Sequence, residues 1–160
     1  MVFTGEYEHT IDAKNRLAIP SQIRAQMREE AGDGGRMLVL YVTLGESQSL
    51  CLYTELGFNE RADELKSSDA DADQLLAFEA LWFSLARRVE LDSAGRLRLP
   101  DNLLKRAGLG TQVMLIGVND HMEIRDRRIW NAYVDQVLAE QQQILMNPRR
   151  AVRQAQNRPR

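Results

Sequence analysis

The chain has 160 residues and a formal charge of −2, long enough for a proper core and too acidic for an indiscriminate nucleic-acid binder. Its single cysteine, Cys51, excludes an internal disulfide and a Cys-rich metal site, and no window is apolar for long enough to cross a bilayer, so a soluble cytoplasmic protein is expected. The charge is uneven: residues 147–160 hold five arginines and no acid, which leaves −7 on the remainder, so any nucleic-acid contact must be local.

Taken in order, Phe3 to Thr10 reads as a strand that runs into Ile11-Asp12-Ala13-Lys14-Asn15-Arg16-Leu17-Ala18-Ile19-Pro20. Asp12 can bond its own downstream backbone and Asn15 tolerates positive φ, so a tight corner is predicted, with Arg16 to Ile19 as the short partner strand. Leu17 and Ile19 then face the core while Arg16 and Ala18 leave it. Pro20 suits the first turn of a helix over Ser21 to Ala31, with Ile23 and Met27 on its inner face and the run Gly32 to Gly35 stopping it. Met37 to Leu44 and Leu50 to Tyr53 form a hairpin around Gly45 to Ser49, and Cys51 reads as a small buried hydrophobe. Thr54 caps a helix from Glu55 to about Lys66 whose apolar stripe is thin. The acidic run Ser67 to Asp73 leads into a helix over Gln74 to Ala86. Its Leu75, Leu76, Phe78, Leu81, Trp82, Phe83 and Leu85 predict a well-buried element that clamps one half onto the other.

Eighty residues after its first appearance the corner phrase returns as Leu91-Asp92-Ser93-Ala94-Gly95-Arg96-Leu97-Arg98-Leu99-Pro100, with Asp, Arg, Leu and Pro at identical offsets. The chain is therefore a two-copy protein. Strands Arg88 to Leu91 and Arg96 to Leu99, a short helix from about Asp101 to Ala107 closed by Gly108, and a hairpin around Asn119-Asp120 repeat the earlier order. Asp126 caps a long helix with Ile129, Trp130, Tyr133, Val134, Val137 and Leu138 in one stripe, Trp130 taking the place of Phe58. The reading is a pseudo-symmetric α+β unit: a first copy over 1–66, a linker and connecting helix over 67–86, a second copy with the long helix over 87–146, and a disordered Arg-rich tail over 147–160.

The paired corners are the candidate site. Lys14 and Arg16 from one copy, with Arg96 and Arg98 from the other, would project side by side, and short strand-borne arginines suit phosphate contact and bidentate reading of guanine. The plainer alternative is that Asp12 pairs with Arg16 and Asp92 with Arg96 only to staple each turn. Both hold if the Asp orients the Arg, and Asn15 and Gly95 shape the turns. His9 and His121 are the only histidines and lie at non-equivalent places. No motif for nucleophilic, metal or nucleotide chemistry occurs, so no enzyme, cofactor or metal site is expected. The aromatic helix and the C-terminal helix pack into the core or meet neighbouring subunits.

Phe3-x-Gly5-Glu6-Tyr7-x-His9-x-Ile11-Asp12-x-Lys14-Asn15-Arg16-Leu17-x-Ile19-Pro20, the second Asp-x-x-Gly-Arg-Leu phrase and Val113-Met114-Leu115-Ile116-Gly117 closely resemble the MraZ proteins of bacteria over residues 1 to 145. The resemblance implies an AbrB-like swapped-hairpin β-barrel flanked by helices and made within one chain. It further implies ring-shaped homo-oligomers of the octamer or dodecamer class, with no membrane association. Such rings bind closely spaced short repeats of double-stranded DNA upstream of their own gene, in the nucleoid, and regulate transcription of the division and cell-wall gene cluster. It places Asp12, Arg16, Asp92 and Arg96 in the two motifs and Lys14 at the basic position of the first. Asn15 stands where the family usually has Gly, and Ala94 where a Lys could stand, with Arg98 as a substitute charge. An oligomeric protein-interaction scaffold is the alternative, and a hydrolase using His9 or His121 a third.

Overall fold

The computed structural model describes residues 2–32, 37–66, 72–145, 147, 149, 152 and 153. In chain order it has β1 (Glu6–Thr10), β2 (Arg16–Ala18), α1 (Ser21–Ala31), β3 (Val39–Leu44), β4 (Leu50–Thr54), α2 (Glu55–Lys66), α3 (Ala72–Leu85), β5 (Arg87–Glu90), β6 (Arg96–Arg98), α4 (Asp101–Ala107), β7 (Gln112–Val118), β8 (His121–Asp126) and α5 (Arg127–Leu145). The order strand, short strand, helix, hairpin, helix occurs twice, as the repeated phrase predicts. None of the helices is long and apolar enough to cross a membrane.

Pairing runs between the copies. Six strands form one antiparallel sheet in the order β1-β7-β8-β4-β3-β5, and β2 and β6 form a separate two-stranded ribbon. Thus β1 lies on β7 with Tyr7 opposite Leu115, β5 lies on β3 with Val89 opposite Leu40, and the hairpins meet at β4 and β8 with Cys51 opposite Glu123. This corrects the expectation that β2 is the partner of its own first strand: Leu17 sits opposite Leu97 of the other copy. Own-copy pairing stops at the corner, where Asp12 N donates to Arg16 O at 3.0 Å and Asp92 N to Arg96 O at 2.9 Å. The corner bends the chain out of the sheet, and the backbone groups of so short a strand then need the other copy's strand to satisfy them. The expected barrel is not closed by hydrogen bonds either, because β1 and β5 are the two ends of the six-stranded order. Core side chains join the ribbon to the sheet, with the corner bonds and a single bridge from Leu91 to Leu97 as the backbone links.

The two faces of the sheet separate by alternation. Leu50, Leu52, Met122 and Ile124 are at most 1 % exposed and share a core with Leu17, Leu97, Ile23 and Leu103. On the other face Cys51, Tyr53, Phe58 and Trp82 form a second cluster, with Phe58 stacked between Tyr41 at 4.2 Å and Trp82 at 4.8 Å. Phe58 explains how α2 is held in spite of its thin stripe: one large ring replaces a row of smaller side chains. Thr54 Oγ1 accepts from Gly57 N at 3.1 Å, the expected N-cap.

The first strand begins later than the alternation suggests. Gly5 has φ +91, which takes Phe3 out of β1 and leaves it a single bridge to Asn119. At that crossing a Cβ on Gly117 would lie 2.4 Å from Thr4 N, so the close approach of the N-terminal segment requires glycine. A larger departure is α3, expected to be deeply buried. Among its described side chains only Trp82 and Leu85 are buried, whereas Leu76, Phe78, Leu81 and Phe83 are exposed. Trp82 and Leu85, three apart, form its inner stripe, with Trp82 packed on Tyr53 of β4 and Phe58 of α2 and Leu85 in the main core.

From Arg127 onward the chain is a separate unit. Within α5 the Trp130 and Tyr133 rings lie 5.6 Å apart, and Ile129, Tyr133 and Leu138 are exposed. The acidic linker at 67–71 and most of the 147–160 tail, called disordered above, lie outside the described residues.

Candidate nucleic-acid interface

Each corner is built by one aspartate. Asp12 Oδ1 accepts from Lys14 N and Arg16 N, both at 2.9 Å, and its Oδ2 accepts from Arg16 Nε at 2.7 Å. Asp92 does the same with Ala94 N at 3.0 Å, Arg96 N at 2.9 Å and Arg96 Nε at 2.8 Å. One carboxylate thereby fixes the backbone of the turn and the plane of the guanidinium beyond it. The plain reading, Asp stapling its own Arg, and the functional one are the same geometry.

The two corners also interlock. Ile19 N donates to Gly95 O at 3.0 Å and Leu99 N to Asn15 O at 2.8 Å, so each turn's positive-φ residue receives a bond from the other copy. Asn15 at φ 59 and Gly95 at φ 73 share the left-handed conformation but not their surroundings. A Cβ on Gly95 would fall 2.5 Å from Cζ of Arg24, which lies against that turn and donates from Nε to Ile19 O at 3.1 Å. At Asn15 the side chain instead donates from Nδ2 to Asp101 Oδ1 of α4. Asn15 therefore ties the first turn to the second copy's helix.

Between the corners runs the β2–β6 ribbon. Arg16 pairs with Arg98 and Ala18 with Arg96, so three arginines stand on its outer face while Leu17 and Leu97 point inward with no exposure. Lys14 and Arg98 are exposed and make no ion pair with a described residue. Arg16 and Arg96 keep 28 % and 37 % of their side chains open while bound to Asp12 and Asp92. Arg16, Arg96 and Arg98 thus come together on one ribbon, with Lys14 in the turn at one end beside Asp12 and Asn15, and Asp92 and Gly95 at the other.

Residue-level reading of the sequence left out Arg24, Arg28 and Asp101. Arg24 and Arg28 line a pocket with Asp92, Ser93 and Gly95, which adds positive charge at the second corner. Their i, i+4 spacing on the outward side of α1 was the available signal. His9 lies in β1 opposite Val113, whereas His121 sits on β8 between Asp120 and Glu123, so the two histidines form no common site.

Hydrogen bonding to the Arg16 backbone, with the Arg16 side chain and the Lys14 amide, holds the Asp12 carboxyl below its ordinary value, against partial desolvation. The Arg96 backbone and side chain do the same for Asp92. A carboxyl with a lowered folded-state pKa contributes stability that is complete above its unfolded value and is lost as pH falls through the folded one. Both corners should therefore hold at neutral pH and loosen in acid, below the ordinary aspartate value of 3.8. Amide exchange at Arg16 and Arg96 read against pH checks this: protection should fall on acidification earlier than it falls in the β7–β8 hairpin. Equal loss at both places would refute the assignment.

The family model described as “MraZ protein, putative antitoxin-like” matches this chain twice in succession, over residues 2–78 and 82–150. A curated protein of Ureaplasma urealyticum serovar 10, “Transcriptional regulator MraZ”, is 30 % identical over 132 residues, covering 82 % of this chain and 86 % of that one. With the doubled Asp-x-x-x-Arg corner interlocked across one ribbon, and with both copies matched in register, the chain belongs to the MraZ family.

Proposed function

We propose that the chain is a sequence-specific DNA-binding transcriptional regulator of the division and cell-wall gene cluster. In this reading it binds short repeats upstream of its own gene as a ring-shaped homo-oligomer, in the nucleoid of the cytoplasm. The observation that carries the reading is the β2–β6 ribbon, with Arg16, Arg96 and Arg98 on one face and Lys14 in the turn that enters it, in a chain of net negative charge. A two-stranded ribbon fits the major groove, about 12 Å wide. Arg16 and Arg96, pre-set by their aspartates, read guanine edges, while Lys14 and Arg98 neutralise phosphate. The name carried by the Ureaplasma relative supports the regulatory role. A ring sums weak contacts along repeated sites, so a chain with modest positive charge can bind tightly. The exposed Leu76, Phe78, Leu81 and Phe83 of α3 offer apolar surface of the kind subunits bury against one another.

Fluorescence anisotropy with the DNA upstream of the protein's own gene, and with a shuffled fragment of equal length, tests the proposal over a salt series. Preference for the native fragment is expected, with log K falling by about 0.9 per log unit of salt for every phosphate contacted. Equal, weak, salt-insensitive binding would reject DNA recognition and favour the scaffold reading, for which α3 is the observation.

A further inference from the structure

The α2-covered side of the sheet carries a second group of polar side chains that the DNA reading does not use. Cys51 and Glu123 are register partners across β4 and β8, where the two copies meet, and so share one face. His121 stands two residues before Glu123 on the same strand and joins that face. The donor atoms of Cys51, His121 and Glu123 all lie within 4.8 Å of one another. We propose that these three side chains form a binding site for one divalent transition-metal ion of the zinc class, which ties the two copies together at the middle of the sheet.

The neighbours orient the donors. Asp120 Oδ1 holds His121 Nδ1 at 2.8 Å, and Arg125 Nε donates to Glu123 Oε2 at 2.6 Å. His121 Nε2 and Glu123 Oε1 are thereby turned toward each other, 3.3 Å apart. A carboxylate on the far nitrogen is the arrangement that fixes a metal-binding imidazole and raises its basicity. Arg61 of α2 holds Asp120 in turn, and the Tyr53 ring stacks on His121 at 5.0 Å. Cys51 is 6 % and Glu123 9 % exposed, so the group is sheltered without being sealed.

Thiolate, imidazole and carboxylate together suit Zn²⁺ or Co²⁺ and not Mg²⁺ or Ca²⁺. With metal bonds of about 2.0–2.3 Å, tetrahedral donors lie roughly 3.5 Å apart, so side-chain rotation must close the group by about 1 Å. Three protein ligands leave one position for water. The ribbon leucines Leu17 and Leu97 belong to the core on the opposite face of the sheet, so the metal acts on the seam between copies. The proposal does not depend on DNA binding.

Chelator-treated full-length protein titrated with Co²⁺ tests it. Since Cys51 is the only cysteine, a thiolate-to-cobalt charge-transfer band in the wild-type protein reports this site alone, whether or not a variant folds. A band saturating at one Co²⁺ per chain, removed by Zn²⁺ and accompanied by a higher melting temperature, is expected. Cys51→Ser should abolish the band, and His121→Gln should weaken Co²⁺ binding at least tenfold. Asp120→Asn, a change at a positioning residue, should weaken it by roughly ten- to a hundredfold. No band in the wild-type protein, or a cobalt affinity untouched by His121→Gln, would overturn the site.

Discussion

Arg16→Ala is expected to weaken binding to the upstream DNA by roughly ten- to a hundredfold per subunit contact while leaving the protein folded, and Arg96→Ala to match it. The magnitude is that of one bidentate arginine–guanine contact, about 1–3 kcal/mol. Folding should survive because Asp12 Oδ1 keeps its bonds from the Lys14 and Arg16 amides, which no side-chain change removes. Arg16→Lys should rescue little: an ammonium can neutralise a phosphate but lacks the planar fork that Asp12 orients. Lys14→Ala and Arg98→Ala supply the contrast. Exposed and without an ion pair to a described residue, they should weaken native and shuffled DNA alike and lower the salt slope by about 1 each. If Arg16→Ala and Arg96→Ala behaved in the same sequence-blind way, the arginines would be phosphate clamps and not readers. If neither changed binding in a folded protein, the ribbon would not be the DNA surface. In the ring proposed above the per-subunit losses would multiply, so the double variant should lose specific binding altogether.

How far the site could be read from the sequence follows from the range of the forces involved. The corner was legible because Asp12 and Arg16 interact over four residues, and because the phrase is repeated at Asp92 and Arg96. The helices α1 and α4 were legible from Pro20, Pro100 and Gly108, which act within a turn of the chain. The partner of β2 was not, since Leu17 meets Leu97 eighty residues away and a three-residue strand carries no mark of which copy it will pair with. Alternation alone likewise allows a barrel or an open sheet. For α3 the obstacle was different: Leu76, Phe78 and Leu81 are as apolar as any core residues, and hydropathy does not tell a buried side chain from an exposed one. Cys51 and His121 illustrate the same limit. Seventy residues apart in sequence, they read as a small hydrophobe and a lone histidine until β4 and β8 bring them to one face.

Leu17→Ala and Leu97→Ala are expected to be the most destabilising single changes at the ribbon, each costing about 2–5 kcal/mol. Both side chains have no exposure, they face each other directly across β2 and β6, and both belong to the main core with Leu50, Leu52 and Ile124. The ribbon has only three residues per strand, too few to persist on hydrogen bonds alone, so these leucines hold the arginine-bearing strands to the sheet. Removing either leaves a cavity that its counterpart already borders, and surrounding strands fixed by pairing cannot collapse into it. The near-symmetric pairing predicts similar costs at the two positions. The double variant should depart from additivity, because the two side chains share one contact. Urea denaturation measures this through a lower midpoint at unchanged slope. Against a total stability of about 5–15 kcal/mol for a domain, the double variant would lose a large part of its margin. The comparison also separates stability from recognition. At temperatures where Leu97→Ala remains folded it should keep its preference for the native DNA, whereas Arg96→Ala should keep its midpoint and lose that preference. A leucine variant as stable as the wild type would mean that the ribbon is held by its interlocked turns, Ile19 N to Gly95 O and Leu99 N to Asn15 O, and not by its core.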